Sequence, residues 1–131
     1  MLRIYVDAAT KGNPGPSCGG IVIVGDTMHE QIHVQLGECS NHEAEFRVLI
    51  QALQLLVEKK LNDQTIILHS DSKIVVQTIE KKHAKNPLFK PYLLNFQKIE
   101  KHFPLLLVKW IPESQNKGAD NLAKQALHKY Q

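Results

Sequence analysis

Cysteine is scarce: Cys18 and Cys39 are the only two in 131 residues. Two thiols cannot build the disulfide framework of a small secreted domain, and these two show no zinc-ligand spacing. A reducing compartment, the cytoplasm, is therefore expected. No apolar run exceeds four residues (Ile21 to Val24, Leu105 to Val108), far short of the roughly 20 that a membrane-spanning helix needs. Met1-Leu2-Arg3-Ile4-Tyr5 runs straight into strand-like alternation, with no secretory pattern. Seven glycines and six prolines without a repeat exclude collagen-like and low-complexity chains. A strong excess of one charge is missing too. The net charge of +3 permits a polyanionic partner without requiring one. What remains, 43% hydrophobic and 22% charged residues, is an ordinary globular composition. The expectation is one domain over 1–131, a monomer without membrane association, with roughly two-thirds of its surface buried.

Along the chain, Leu2, Ile4 and Val6 alternate with Arg3, Tyr5 and Asp7, a strand ending at the aspartate. Lys11-Gly12-Asn13-Pro14-Gly15-Pro16 reads as a stiff turn, outside helix and strand. Ile21 to Val24 is a strand buried on both faces, Gly25-Asp26-Thr27 a hairpin turn, and Ile32, Val34 and Leu36 mark an edge strand with one wet face. The period then changes. Phe46, Leu49, Ile50, Leu53, Leu56 and Val57 follow helical spacing behind a cap at Ser40 or Asn41. Ile66-Ile67-Leu68 is a buried strand, Ser70-Asp71-Ser72 opens a second helix, and Asn86-Pro87 breaks it. Leu88 to Phe103 reads as a third helix and Leu105 to Val108 as the last strand. A fourth helix carries the stripe Ala119, Leu122, Ala123, Ala126, Leu127 and Tyr130. The order β-β-β-α-β-α-α-β-α implies an α/β fold: a mixed sheet with helices packed on its faces.

A right-handed crossover would lay the first and fourth strands side by side and parallel. Asp7 and Asp71 would then meet at the carboxyl end of the sheet, where open α/β sheets bind ligands. Paired carboxylates repel unless a cation sits between them, and Mg²⁺, a hard ion with oxygen ligands, suits such a pair. Alternatively, each aspartate is a plain turn residue, or Asp71 caps the helix after it. Glu43 and Glu45 lie on opposite edges of the first helix's stripe, and the helical wheel leaves open which faces the aspartates. Asn116 and Asp120, four apart, share a face of the last helix.

Four longer stretches carry a resemblance. Asp7-Ala8-Ala9-Thr10-Lys11-Gly12-Asn13-Pro14-Gly15-Pro16 resembles the first motif of the ribonuclease HI family, and Ser40-Asn41-His42-Glu43-Ala44-Glu45-Phe46 the second. His69-Ser70-Asp71-Ser72-Lys73 is similar to the third, and Asn116-Lys117-Gly118-Ala119-Asp120-Asn121-Leu122-Ala123 to the fourth. They stand in family order and span essentially the whole chain. Trp110-Ile111-Pro112-Glu113 resembles the short bacterial and archaeal branch, which lacks a separate hybrid-binding domain. The resemblance implies a ribonuclease H-like fold: a mixed five-stranded sheet, three antiparallel then two parallel strands, with helices on both faces. It implies an endonuclease that hydrolyses the RNA strand of RNA–DNA hybrids, leaving 5′-phosphate and 3′-hydroxyl ends. It makes Asp7, Glu45, Asp71 and Asp120 the catalytic, metal-holding acids, for two Mg²⁺ ions with Mn²⁺ as the alternative. One ion would sit on Asp7 and Asp71, the other on Asp7, Glu45 and Asp120. Gly12, Asn13, Asn41, His42 and Lys73 match substrate-contacting positions.

The sequence departs from the family pattern at Ala8, where a glycine is common, and at His42, where an asparagine is common. The loop before the last helix has no histidine, and the basic protrusion shrinks to Lys81-Lys82-His83-Ala84-Lys85. Those two reductions motivate a second reading, a catalytically weak or inactive nucleic-acid-binding domain of the same fold. Glu113 stands where a loop acid or base could act, or it simply favours the positive end of the following helix. The lysines between Lys81 and Lys90 are a solvated loop or a phosphate-contacting patch. Trp110 reads as a core or edge packing residue rather than a base-stacking platform. The scattered histidines show no metal-binding pair, and Cys18 and Cys39 read as buried thiols.

Overall fold

The computed structural model describes residues 1–130. Its strands are β1 (Leu2–Thr10), β2 (Gly15–Val24), β3 (His29–Cys39), β4 (Thr65–Ser70) and β5 (Leu105–Trp110). Its helices are α1 (Asn41–Glu58), α2 (Lys73–Lys81), α3 (Lys90–Glu100) and α4 (Lys117–Tyr130). The strands form one sheet in the order β3-β2-β1-β4-β5. The first three pair antiparallel; β4 lies parallel to β1, and β5 parallel to β4. The expected mixed sheet is present, with the wet strand β3 at one edge.

Strand boundaries run wider than the alternation alone marks, β5 for instance to Trp110 in place of Val108, and the turn after β1 and the third helix differ most. β1 continues past Asp7 to Thr10, and β2 begins at Gly15, inside the stretch read as turn. Pro16 fits there because a strand's first residues can do without a ladder N–H. The third helix is split. Pro91 has no N–H to reach the Pro87 carbonyl, so Lys90 donates to it instead and Pro87–Phe89 closes as a 3₁₀ turn. α3 then ends at Glu100, three residues before the expected Phe103.

Two layers of helix enclose the sheet. Leu2, Ile4 and Val6 of β1, Ile21 and Ile23 of β2, and Ile66 and Leu68 of β4 pack with Phe46, Leu49, Leu53 and Leu56 of α1, Val75 of α2 and Phe96 of α3. Burial of each such side chain contributes roughly 1.5–3 kcal/mol. The other face is covered by α4, whose Ala119 and Leu122 close on Val22. α4 lies over β1, β2 and β3, and Leu105 and Leu107 of β5 stay exposed. No helix among the described residues is long and apolar enough to cross a membrane. Cys18 and Cys39 are buried free thiols, as expected; Cys18 pairs across with Gln35, not with Cys39.

Candidate active site

The last register pair between the parallel strands β1 and β4 is Val6 with Ser70. The next residue on each is an aspartate. Asp7 is buried, and Asp71 is half-buried just past the end of β4. Asp71 does not cap α2. That role falls to Ser72, whose hydroxyl accepts from the Val75 N–H at 3.3 Å, leaving the Asp71 carboxylate for the cavity. α1 starts at a capping box: Ser40 accepts from Glu43 N–H at 3.2 Å, and Glu43 accepts from Ser40 N–H at 3.3 Å. Glu43 also accepts the Tyr92 hydroxyl at 2.8 Å. It is therefore occupied at the helix start, and these bonds hold its carboxyl below the usual range.

Glu45 faces the aspartates. Its Oε1 accepts the Ala8 N–H at 3.0 Å, and its Oε2 is buried without a partner. Ligand atoms of Asp7, Glu45 and Asp71 lie within 4.8 Å of one another, and burial together with neighbouring carboxylates raises all three. Asp7 is pushed from 3.8 to about 7, by burial first and the Asp71 charge second. Burial dominates at Glu45, ahead of the charges of Asp7 and Asp71. Burial also leads at Asp71, opposed by a hydrogen bond from Asn116 and reinforced by Glu113 and Asp120. Three crowded carboxylates and one sealed, unpartnered oxygen are what a divalent cation with oxygen ligands requires. The residues fit a metal.

Asp120 borders the same cavity but stands outside that three-way group, and its carboxylate is paired with Lys124 at 3.1 Å. The cavity, about 680 Å³, is also lined by Gly12, Asn13, Asn41, His42, Lys73 and Glu113. Gly12 turns with φ +82°. Asn13 Oδ1 accepts the Asn41 N–H at 3.0 Å and ties the β1–β2 turn to the start of α1. His42 meets Phe89 edge-on. Glu113 opens a 3₁₀ turn, Glu113–Gln115, ahead of α4.

One residue at the site carried no assigned role in the sequence reading. Asn116 is fully buried and donates to the Val6 carbonyl at 2.8 Å and to Asp71 Oδ2 at 3.1 Å. It fixes the end of β1 against the second aspartate. Its place one turn before Asp120 was the available signal. Trp110, expected in the core or at an edge, lies at the edge. It stands 42% exposed at the end of β5 and donates its indole N–H to the Asp71 carbonyl at 3.1 Å. Among the described residues no histidine joins a metal-capable group.

Residues 5–126 match the reverse transcriptase-like family. The chain is 65% identical to EbsB of Enterococcus faecalis over 130 residues, covering 99% of this chain and 96% of that protein. It is 29% identical to the bifunctional protein Rv2228c of Mycobacterium tuberculosis across 95% of this chain, and spans 35% of that relative's length. LC11-RNase H1, isolated from compost and solved in complex with RNA/DNA hybrid, superposes with a TM-score of 0.89 at 29% identity over 99% of both chains. A profile covering nearly the whole sheet and α4, and a ribonuclease H1 that superposes from end to end, leave one conclusion: the chain belongs to the reverse transcriptase-like family, as a ribonuclease H-type member.

Proposed function

We propose that this protein is an endonuclease that hydrolyses the RNA strand of RNA–DNA hybrids, leaving 5′-phosphate and 3′-hydroxyl ends. The observation that carries the reading is the sealed Oε2 of Glu45 beside Asp7 and Asp71, set in an open cavity at the carboxyl ends of β1 and β4. Its structural neighbour was solved on an RNA/DNA hybrid. Asp7 and Asp71 would hold one Mg²⁺ and Asp7, Glu45 and Asp120 a second, with Mn²⁺ as the substitute. Bound there, the ions supply a water of lowered pKa and stabilise the leaving 3′-oxygen.

The chain's own residues do the rest. Ala8 N–H fixes Glu45, and Asn116 fixes Asp71, so two of the acids are oriented before any ligand arrives. Asp120 borders the same cavity and already acts on Asp7 and Asp71, and its carboxylate would be shared between the ion and Lys124. Gly12, Asn13, Asn41, His42 and Lys73 line the approach, with Asn13 and Asn41 already bonded to each other. Selection of RNA would come from 2′-hydroxyl contacts across the minor groove. Glu113, on the cavity wall, would carry a proton on the leaving-group side. The reading takes the protein as a monomer of the cytoplasm, a reducing compartment that suits its two buried free thiols.

The test uses labelled RNA–DNA hybrid, double-stranded RNA and single-stranded RNA, each with Mg²⁺, Mn²⁺ or EDTA. Cleavage of the hybrid alone, abolished by EDTA, is the expected result. Binding of hybrid without cleavage under every metal would overturn it in favour of an inactive binding domain.

A further inference from the structure

Lys73 is oddly placed. It is the first residue of α2, where the positive end of the helix dipole disfavours a cation. It also lines a cavity walled by Asp7, Asp71, Asp120 and Glu113. An ammonium on a flexible four-carbon stem at that rim should drop among the carboxylates and neutralise them. It does not: the ion pairs among the described residues are Lys59 with Glu30 and Lys124 with Asp120. The Lys73 ammonium lies instead over the indole of Trp110, 5.1 Å from the ring centroid, within cation–π range. The indole is itself pinned, through the N–H bond to the Asp71 carbonyl and by its place at the end of β5. A half-exposed tryptophan that only packed would need no such partner.

We propose that Trp110 is a positioning residue: its ring parks the Lys73 ammonium at the rim, keeping it out of the Asp7–Glu45–Asp71 group. The carboxylates then stay available to a divalent ion, and Lys73 stays available to an incoming phosphate. The second half of that statement rests on the hybrid reading above; the first does not. Without the ring, Lys73 becomes an internal competitor for the metal's place. Without Lys73, the ring no longer matters to the metal. The two side chains must therefore couple in metal affinity, a behaviour a purely structural tryptophan would not show.

The experiment is a calorimetric titration of metal-free protein with Mg²⁺, with melting temperatures as the folding control. It compares wild type, Trp110→Leu, Trp110→Phe, Lys73→Met and the double variant Trp110→Leu/Lys73→Met. Trp110→Leu should weaken Mg²⁺ binding roughly two- to fivefold, the scale of a partly exposed cation–π contact. The same change should have no effect in the Lys73→Met background. Trp110→Phe, which keeps a ring face and loses the N–H, should stay within about twofold of wild type. Equal weakening in both backgrounds, or a phenylalanine variant as weak as the leucine one, would overturn the proposal and leave Trp110 a prop for the Asp71 carbonyl. Unchanged binding in Trp110→Leu would overturn it as well. A separate arm follows emission from Trp110, the chain's one tryptophan, as RNA–DNA hybrid is added in EDTA. A change in wild type that is lost in Lys73→Met supports transfer of the ammonium to phosphate. Absence of hybrid binding in every protein would sink the hybrid reading, while the Mg²⁺ titrations still decide the parking of Lys73.

Discussion

Replacing Asp7 with asparagine should abolish cleavage and at the same time make the metal-free protein more stable near pH 8. The Asp7 carboxyl is held at about 7 against an ordinary 3.8, by burial and then by the Asp71 charge. An acid whose pKa is raised on folding binds its proton more tightly in the folded state. The resulting stability is fully present below about 4 and is lost as pH rises through 7. At 1.36 kcal/mol per pH unit, the loss amounts to about 4 kcal/mol at most. The Asn variant never ionises there, and its removal also eases Glu45 and Asp71. Recovery of roughly 2–4 kcal/mol at pH 8 corresponds to a rise of about 6–15 °C in melting temperature for a chain of this size. At about pH 4 and below, where the carboxyl is protonated in both states, wild type and variant should melt together. Glu43, whose pKa is lowered, works in the opposite sense and only at lower pH, so it does not enter this window. Thermal melts across that range in EDTA, repeated with excess Mg²⁺, read the effect directly. Mg²⁺ should raise wild type strongly at pH 8 and the variant little, by mass action on the folded state. A variant that melts at or below wild type at pH 8 in EDTA would refute the idea that this site stores repulsion.

Glu45→Gln should cost orders of magnitude in cleavage. Glu43→Gln, which keeps the capping-box geometry, should leave turnover alone and lower stability by under about 1 kcal/mol through loss of the charge at the positive helix end, as kinetics and melts on the pair will show. Asn116→Ala leaves the buried Val6 carbonyl without its donor, which should cost about 1–3 kcal/mol. It also removes a bond that lowers the Asp71 pKa, so the acid limb of the pH–rate profile should move to higher pH. Glu113→Gln should slow single-turnover cleavage roughly 10²-fold, with hybrid binding unchanged, if that side chain carries a proton; an unaltered rate would return Glu113 to a helix-end role.

Much of this site was legible because strands deliver residues predictably. A parallel crossover between the strands ending near Val6 and Ser70 was enough to bring Asp7 and Asp71 together, and the register does so. The choice between Glu43 and Glu45 was not available from helical spacing, since both flank the same stripe. A local signal did exist: Ser40-Asn41-His42-Glu43 is a capping-box pattern, which commits Glu43 to the helix start and leaves Glu45 free. The Tyr92 bond that completes the commitment spans 49 residues, and the Asn116 bond to Val6 spans 110. No window of sequence contains such contacts; they exist only once the sheet has closed. Asp120 was legible as to face and not as to partner, because Lys124 one turn later competes for its carboxylate.

A deeper layer of the design lies in two glycines that carry no chemistry. On β2, Gly20 stands opposite Asp7 and Gly19 opposite Ala8. A Cβ on Gly20 would sit 2.3 Å from the Ala119 carbonyl of α4; one on Gly19 would sit 2.5 Å from the Val48 side chain of α1. Consecutive strand residues point to opposite faces, so the pair thins the sheet on both sides at one level. α4 seats on one face with Ala119 against Gly20, and the next residue is Asp120. α1 seats on the other with Val48 against Gly19, and three residues earlier, about one turn, is Glu45. The helices that carry Glu45 and Asp120 thus approach Asp7 from opposite faces because the strand beside it has no side chains at that level to hold them off. A glycine pair in a strand ordinarily reads as weakness; here its position across from Asp7 is what lets α1 bring Glu45 into the group and α4 bring Asp120 to the wall of the same cavity.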